Sequence, residues 1–358
     1  MIYLQGIKTM KDEMKTILSL SSPRKIPFSL IVCTYKRPDA LLKLLESVVR
    51  QSLYPDQILI IDGSPEDATK EILYDNNYYK LEYFKVDAIH RGLTKQRNFG
   101  IQKVAVTSEI VCFLDDDILL TPGYFQNLIS TYSQNPNAIG VGGAIIDEVQ
   151  WKINSYEKAV QFDEFELDGY VRKLGSRNVL RKKLGLLSDQ APGIMPEFSN
   201  GLSIGFLPPS DKTYPVEFFM GGVASYRKEL FKKINFSSYF EGYGLYEDMD
   251  FCLRASKIGQ LYVNTAAQLY HYHEKAGRPN QFIYGKMVVR NGWYVWRVKY
   301  PNPTIKAQLK WHLTFLTLTL VRFGNTLTTK EKKEAFSESL GRTAGWWSLM
   351  WNKPKVQL

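Results

Sequence analysis

The sequence predicts an α/β protein: a mostly parallel sheet covered on both faces by helices, with a helical extension at the C-terminus. Three observations carry this expectation. Short β-branched, apolar runs alternate with amphipathic stretches through the first part of the chain. Those runs are apolar throughout rather than every second residue, the pattern of strands buried on both faces. From about residue 281 onward the pattern turns helical, aromatic and basic, with no further strand-like run.

The elements follow in order. "FSLIVCT" (28–34) reads as the first strand, and Pro38 opens the amphipathic stretch "ALLKLLESVVRQS". "QILIID" (57–62) repeats the strand pattern; "SPEDATKEIL" then sets Ser64 before Pro65 with acids behind, a helix start. "LEYFKV" (81–86) is a third strand, "LTKQRNFGIQKVA" a helix, and "EIVCFLD" (109–115) a fourth strand. After Ile146 the pattern loosens, and residues 150–198, including the basic "RKLGSRNVLRKKLG", read as an insertion or mobile loop. Strand character resumes near 216–226, "VEFFMGGVASY", broken by Gly221 and Gly222, and a helix covers "YEDMDFCLRASKIG".

Composition narrows the class. The 358 residues suffice for one large domain or two ordinary ones. Cys33, Cys112 and Cys252 have no framework spacing, which argues against a disulfide-stapled secreted protein. The first residues contain acids and lack a sustained apolar stretch, and no run has the length of a membrane-spanning helix, so a cytoplasmic location is expected. The net charge of +10 is localised: between Glu274 and Glu331 there are ten Lys and Arg and no acid. Such a block points to an anionic partner, whether nucleic acid, a membrane surface or a phosphorylated substrate.

In a parallel sheet, ligands bind beyond the carboxyl ends of the strands. That rule gathers Thr34, Tyr35, Asp62 and the "DDD" of Asp115, Asp116 and Asp117 into one crevice. Neither a GxGxxG fingerprint nor a P-loop is present. In an extended segment Asp115 and Asp117 face one side and Asp116 the other. Two convergent carboxylates suit Mg²⁺ or Mn²⁺, though a solvated acidic turn has the same spelling. Glu247 and Asp248 begin the helix at "YEDMDF", where acids favour the dipole, and Asp250 and Arg254 are spaced to pair. His271 and His273 alternate in "LYHYHEKAGRP", and Arg91, Lys95 and Arg97 precede the acidic strand end.

Taken together, "FSLIVCTYKRPDALLKLLESVVRQSLYPDQILIIDGSPEDAT", "RGLTKQRNFGIQ", "CFLDDDILLTPGYF", "FFMGGVASYRKELF" and "GYGLYEDMDFCLRASKIG" resemble, in order, the motifs of family 2 glycosyltransferases with the GT-A fold. The resemblance runs from about residue 27 to 275. It implies an inverting, metal-dependent transfer of a sugar from a nucleoside-diphosphate sugar, a UDP-sugar being the first candidate, to a hydroxyl of a glycan or lipid-linked glycan. It implies that Thr34, Tyr35, Asp62, Arg97, Asp115 and Asp116 contact the donor. Asp117, Asp115 and His271 would hold Mn²⁺ or Mg²⁺, with His273 competing for the last place. Asp248 would be the base, supported by Glu247. The family usually has a second acid after Asp62, where this chain has Gly63. A catalytically silent sugar-nucleotide-binding protein of the same fold is the alternative, and the intact acidic elements weigh against it. No nucleic-acid module is present, so no nucleic-acid partner is expected. The organisation expected is an N-terminal extension (1–26), a transferase domain (27–280, with halves 27–146 and 147–280) and a basic aromatic extension (281–358). Residues 281–323 hold nine aromatics and seven cations without an acid, which suggests peripheral contact with the inner face of a membrane.

Overall fold

A computed structural model describes residues 25–154, 159–198, 201–272 and 279–357. Residues 1–24, most of the expected N-terminal extension, and His273 lie outside the described residues.

Strand β1 (Phe28–Thr34) runs between β2 (Gln57–Asp62) and β4 (Ile110–Asp115), parallel to both. β2 is buried at every position, as its unbroken apolar text requires, whereas β3 (Leu81–Lys85) forms the edge and is only partly covered. The faces of β1 divide the core. Phe28, Leu30 and Val32 point into one apolar cluster and Ile31 into another. Alternation along a strand is what lets helices cover both sides.

Helix α1 (Pro38–Val49) starts with Pro38, whose missing N–H costs nothing in the first turn. It buries Leu41, Leu44, Leu45 and Val48, the i, i+3, i+4, i+7 face of an amphipathic helix. After the short α2 (Ala68–Asp75) comes α3 (Leu93–Ile101), which crosses the other face. There Gly100 lies so close that a Cβ would sit 2.9 Å from Ile31. β5 (Ile118–Leu120), α4 (Tyr124–Gln134) and β6 (Ala138–Ile145) complete the first half.

The second half makes the sheet mixed. β10 (Thr213–Val216), β11 (Val223–Arg227) and β12 (Gln260–His271) join it, giving the order β3-β2-β1-β4-β11-β6-β12-β10, with β5 also paired to β12. β11 runs antiparallel between β4 and β6, so the parallel pairing of the mostly parallel sheet expected lies in β1 to β4 and in β6 with β12. Helix α6 (Glu247–Ala255) precedes β12.

Residues 150–198, expected as an insertion or mobile loop, hold regular structure among the described residues, which corrects the mobile-loop alternative. They contain β7 (Lys152–Ile153), β8 (Glu164–Leu167) and β9 (Tyr170–Lys173), an antiparallel three-stranded sheet, followed by α5 (Ser176–Lys183). These strands are short and rich in charge, and their order comes from a small cluster of Leu174, Leu202 and Phe206 rather than from apolar runs.

Three helices end the chain: α7 (Gln281–Lys299), α8 (Ile305–Thr328) and α9 (Lys332–Ser348). The side chains of Asn280 and Thr304 cap the first two by accepting from the N–H of Ile283 and of Ala307. α7 and α9 approach backbone to backbone, since a Cβ on Gly285 would overlap Glu338 O and one on Gly341 would overlap Phe282 O. Trp293, Tyr294, Trp296, Trp311 and Phe315 are buried, the Trp296 and Trp311 rings stacking at 5.3 Å. Most aromatics of 281–323 therefore serve as core. Among the described residues no helix is long and apolar enough to cross a membrane.

Candidate active site

The parallel register aligns three strand ends. Thr34 lies opposite Asp62 and Cys33 opposite Asp115, so Thr34, Asp62 and Asp115 reach the same rim of the sheet. Beyond it opens a cleft of about 790 Å³, whose walls include Thr34, Tyr35, Arg37, Arg91, the three aspartates, Asp248 and His271.

The three aspartates diverge as their alternation predicts. Asp116 turns back into the protein, where Oδ2 accepts from the Thr34 hydroxyl at 2.7 Å and Oδ1 meets Arg37 Nη1 at 3.0 Å. Burial pushes its carboxyl up to about 6, against the pull of Arg37. Asp115 and Asp117 face the other way and form, with His271, a cluster whose ligand atoms lie within 4.8 Å of one another. The antiparallel pairing of β5 with β12 delivers the histidine: Ile118 lies opposite His271, and His271 Nε2 comes within 3.2 Å of Asp117 Oδ1. That carboxylate raises the affinity of His271 for its proton. Two carboxylates and an imidazole at this spacing suit a small divalent cation.

Arg97 sits behind this cluster rather than in it. Its guanidinium lies between the rings of Phe113 and Phe236 and is closed to solvent. Nη1 contacts Glu247 Oε1 at 2.5 Å and Nη2 reaches Asp115 Oδ1 at 3.5 Å. Arg97, expected beside a diphosphate, thus bridges the two acidic motifs of the sequence, with Glu247 150 residues away along the chain. The space it needs explains the glycine pair in "MGGVAS". A Cβ on Gly221 would lie 2.6 Å from both Arg97 and Glu247, and one on Gly222 would overlap Asp115 Oδ2.

Tyr246 precedes α6 in the left-handed region, φ 70°, and starts the helix abruptly against the cleft. Glu247 then points inward, where burial drives its carboxyl up to about 8 against the attraction of Arg97. Its Oε2 has no hydrogen-bond partner among the described residues. Asp248 faces the cleft. Its Oδ2 accepts from Gly221 N at 3.1 Å and Oδ1 from Met249 N at 2.7 Å, and burial again raises its proton affinity. Asp250 pairs with Arg254 as the helical spacing predicts.

Asp62 is fully buried, its two oxygens accepting from Ser64 N at 2.7 Å and Tyr83 Oη at 2.9 Å. It braces the β2 end behind the cleft wall. Beside it Gly63 O accepts from Arg91 Nε at 2.7 Å, and the Arg91 guanidinium lies 5.9 Å from the Tyr35 ring, a flat aromatic-cationic wall at the cleft mouth. A Cβ on Gly63 would be 3.0 Å from Gln96, so the residue that replaces the usual second acid is pressed against this wall. Sequence reasoning missed Arg37, Gln96 and Tyr83. Gln96 Nε2 ties the β1 and β2 ends by donating to Thr34 O and Ile61 O. Only the unusual "YKRP" after β1 and the "TKQRN" text hinted at the first two, and neither spelling names its partner.

Comparison with known proteins adds to this geometry. The family described as Glycosyl transferase family 2 matches residues 29–234, and the N-terminal domain of galactosyltransferase matches 204–274. A glucosyl-dolichyl phosphate glucuronosyltransferase of Haloferax volcanii is 29% identical over 125 residues, 34% of this chain and 38% of that protein. The uncharacterized glycosyltransferase YwdF of Bacillus subtilis is 30% identical over 101 residues, 28% of this chain and 36% of that protein. The matched segment thus spans well under half the length of these curated relatives. Among solved structures, a mannosyltransferase of Pyrobaculum calidifontis in complex with GDP-Man and Mn²⁺ aligns with a TM-score of 0.52 at 14% identity. That alignment covers 93% of this chain and 90% of the other, and its likeness is one of fold.

Proposed function

The chain belongs to glycosyl transferase family 2, and from that membership we propose that it transfers a sugar, with inversion, from a nucleoside-diphosphate sugar to a hydroxyl of a glycan or lipid-linked glycan. The observation that carries this reading is the meeting of the Asp115–Asp117–His271 cluster and Asp248 in one cleft. The Haloferax relative is named for glucosyl-dolichyl phosphate, a lipid-phosphate-linked sugar, which supports the acceptor class.

In this reading Asp115, Asp117 and His271 would hold Mn²⁺ or Mg²⁺, which would supply positive charge against the leaving nucleoside diphosphate. Asp248 does the proton work. One of its oxygens takes the proton of the acceptor hydroxyl while the hydroxyl oxygen bonds to the anomeric carbon. The bond from that carbon to the phosphate oxygen breaks on the opposite face, and its electron pair leaves with the diphosphate. The two N–H groups on Asp248 hold its carboxylate in place, and burial raises its proton affinity above that of an exposed carboxylate, the direction a proton acceptor needs. Arg97 holds Glu247 and Asp115 at fixed separation, and Tyr35 with Arg91 forms a wall against which a nucleobase stacks. Thr34 and Arg37 hold the Asp116 carboxylate in a fixed orientation at the cleft wall. Gly63 O anchors Arg91 beside Tyr35, while Asp62 and Tyr83 brace the strand end behind them. Uridine is the first candidate base because the family resemblance implies it, and other bases are tested beside it.

Asp248→Asn tests the assignment. The variant is expected to keep its fold and its affinity for the donor while transfer to acceptor falls by about 10²–10⁴-fold. Near-normal transfer by a folded Asp248→Asn protein would remove Asp248 from the role of base.

A further inference from the structure

An exposed apolar seam runs along α8. Leu309, Leu316 and Phe323 recur every seven residues, and Leu313, Leu320 and Leu327 repeat the interval, so all six share one side of the helix. All six are exposed, from 44% at Leu316 to 81% at Leu327. The opposite side, with Trp311, Thr314, Phe315 and Thr319, packs inward. Between Lys310 and Arg322 the helix carries no Lys, Arg, Asp or Glu, although an outward helix face is ordinarily the charged one. The seam continues across α9 and the turn after it, where Phe336, Leu340, Trp347 and, past the helix end, Trp351 are also exposed, and the rings of Phe323 and Phe336 join the two helices at 5.9 Å. So large a contiguous apolar face marks a docking surface.

The charge around it says what docks. Residues 305–355 contain nine Lys and Arg against three Glu. Of those acids Glu338 is already engaged by Arg322 and Arg342, each at 2.6 Å. The cations cluster at the ends of the seam: Lys306 and Lys310 at the start of α8, Lys330, Lys332 and Lys333 at the turn, Lys353 and Lys355 after α9. Helix α5 packs against α8 and adds exposed Arg177, Lys182 and Lys183 beside the exposed Leu184, and Lys310 Nζ donates to Gly185 O at 2.9 Å. Pairing this face with a second copy would satisfy the leucines but bring two cationic rims together. A lipid surface bearing phosphates satisfies both features at once.

We propose that the outer face of α8 and α9 lies in the interface of a membrane containing anionic lipid, its leucines and tryptophans among the acyl chains and its lysines on the headgroup phosphates. The helices lie on the bilayer rather than cross it. This goes beyond the transfer reaction and does not depend on it. It also moves the membrane contact expected from 281–323: most aromatics of α7 are core, and the contact shifts to the leucines of α8 and the tryptophans of α9.

The test is flotation of the full chain with vesicles of phosphatidylcholine alone or with added phosphatidylglycerol, together with sedimentation velocity of the free protein. The native chain is expected to float with the phosphatidylglycerol vesicles and to be released as salt is raised. Leu316→Gln/Leu320→Gln/Phe323→Gln is expected to weaken binding by about tenfold or more, since it removes the apolar seam without touching the core. Lys332→Gln/Lys333→Gln/Lys353→Gln is expected to weaken binding to the anionic vesicles selectively, and it keeps the proposal falsifiable if the first variant fails to fold. Absence of flotation by the native chain, equal binding by native and both variants, or a native dimer that the seam variant converts to monomer would overturn the proposal, the last by showing that a second copy covers the face.

Discussion

At the rim of the sheet the protein buries charge, and along α8 it exposes leucine. Around the cleft, Asp116, Asp117 and Glu247 are buried and Asp115 is half-buried, and each has a cation or an imidazole beside it: Arg97, Arg37 or His271. Along α8, by contrast, six apolar side chains face outward and the neighbouring lysines outnumber the acids. Both arrangements carry a local cost, desolvation in one and exposed apolar surface in the other. Each is understandable as preparation for a partner: a divalent ion with its diphosphate at the cleft, a lipid surface at the helices. The difference is that the cleft is rigidly braced by internal bonds, whereas the seam needs only to be presented.

Four experiments sharpen or break this contrast. Asp248→Asn has the largest expected effect, the loss of transfer of about 10²–10⁴-fold at unchanged melting temperature, measured as product formed from acceptor and donor. Next comes Arg97→Met, which leaves the buried Glu247, and Asp115 beside it, without their shared cation. A loss of about 3–5 kcal/mol in denaturant unfolding is expected, and native-like stability would show that the cleft wall is not held by this pairing. Gly222→Ala follows. Its added methyl runs into the Asp115 carboxylate, so a loss of about 1–3 kcal/mol is expected together with weaker metal-dependent donor binding by calorimetry. The smallest effect is expected at Leu320, with a core leucine as the reference. Leu44→Ala in the α1 core should cost about 2–5 kcal/mol, while Leu320→Gln on α8 should stay within about 0.5 kcal/mol. A large loss at Leu320 would mean the seam is packed rather than exposed.

What the sequence allowed one to read follows the range of the interactions. β1, β2 and β4 were legible because each is a continuous apolar run, β3 because Tyr83 and Phe84 give strand character to a short segment despite Glu82 and Lys85, and α1 and α6 because their apolar spacing and first-turn acids are local signals. The separation of Asp116 from Asp115 and Asp117 was also legible, since alternation along an extended segment needs no tertiary knowledge. The roles of Arg97 and Arg37 were not, because their partners lie far off in the chain, and a basic residue in a helix text is spelled the same whether it faces solvent or a buried acid. The sheet of β7 to β9 was missed for a related reason: strands of two to four residues with mixed charge carry no period. The aromatic tail was read by composition, which identifies tryptophan but not its direction. Trp296 turned out to be core and Trp351 surface.

The central claim is that the acidic strand end and the α6 acid form one metal-assisted transfer site. Its most direct test is a thermal-shift panel of nucleotide sugars, with and without Mn²⁺, on the native chain and on Asp117→Asn. One donor is predicted to raise the native melting temperature only when Mn²⁺ is present, and the Asp117→Asn protein, folded but lacking a ligand, is predicted to lose that dependence. Stabilisation that ignores the metal, or that survives unchanged in Asp117→Asn, would contradict the account.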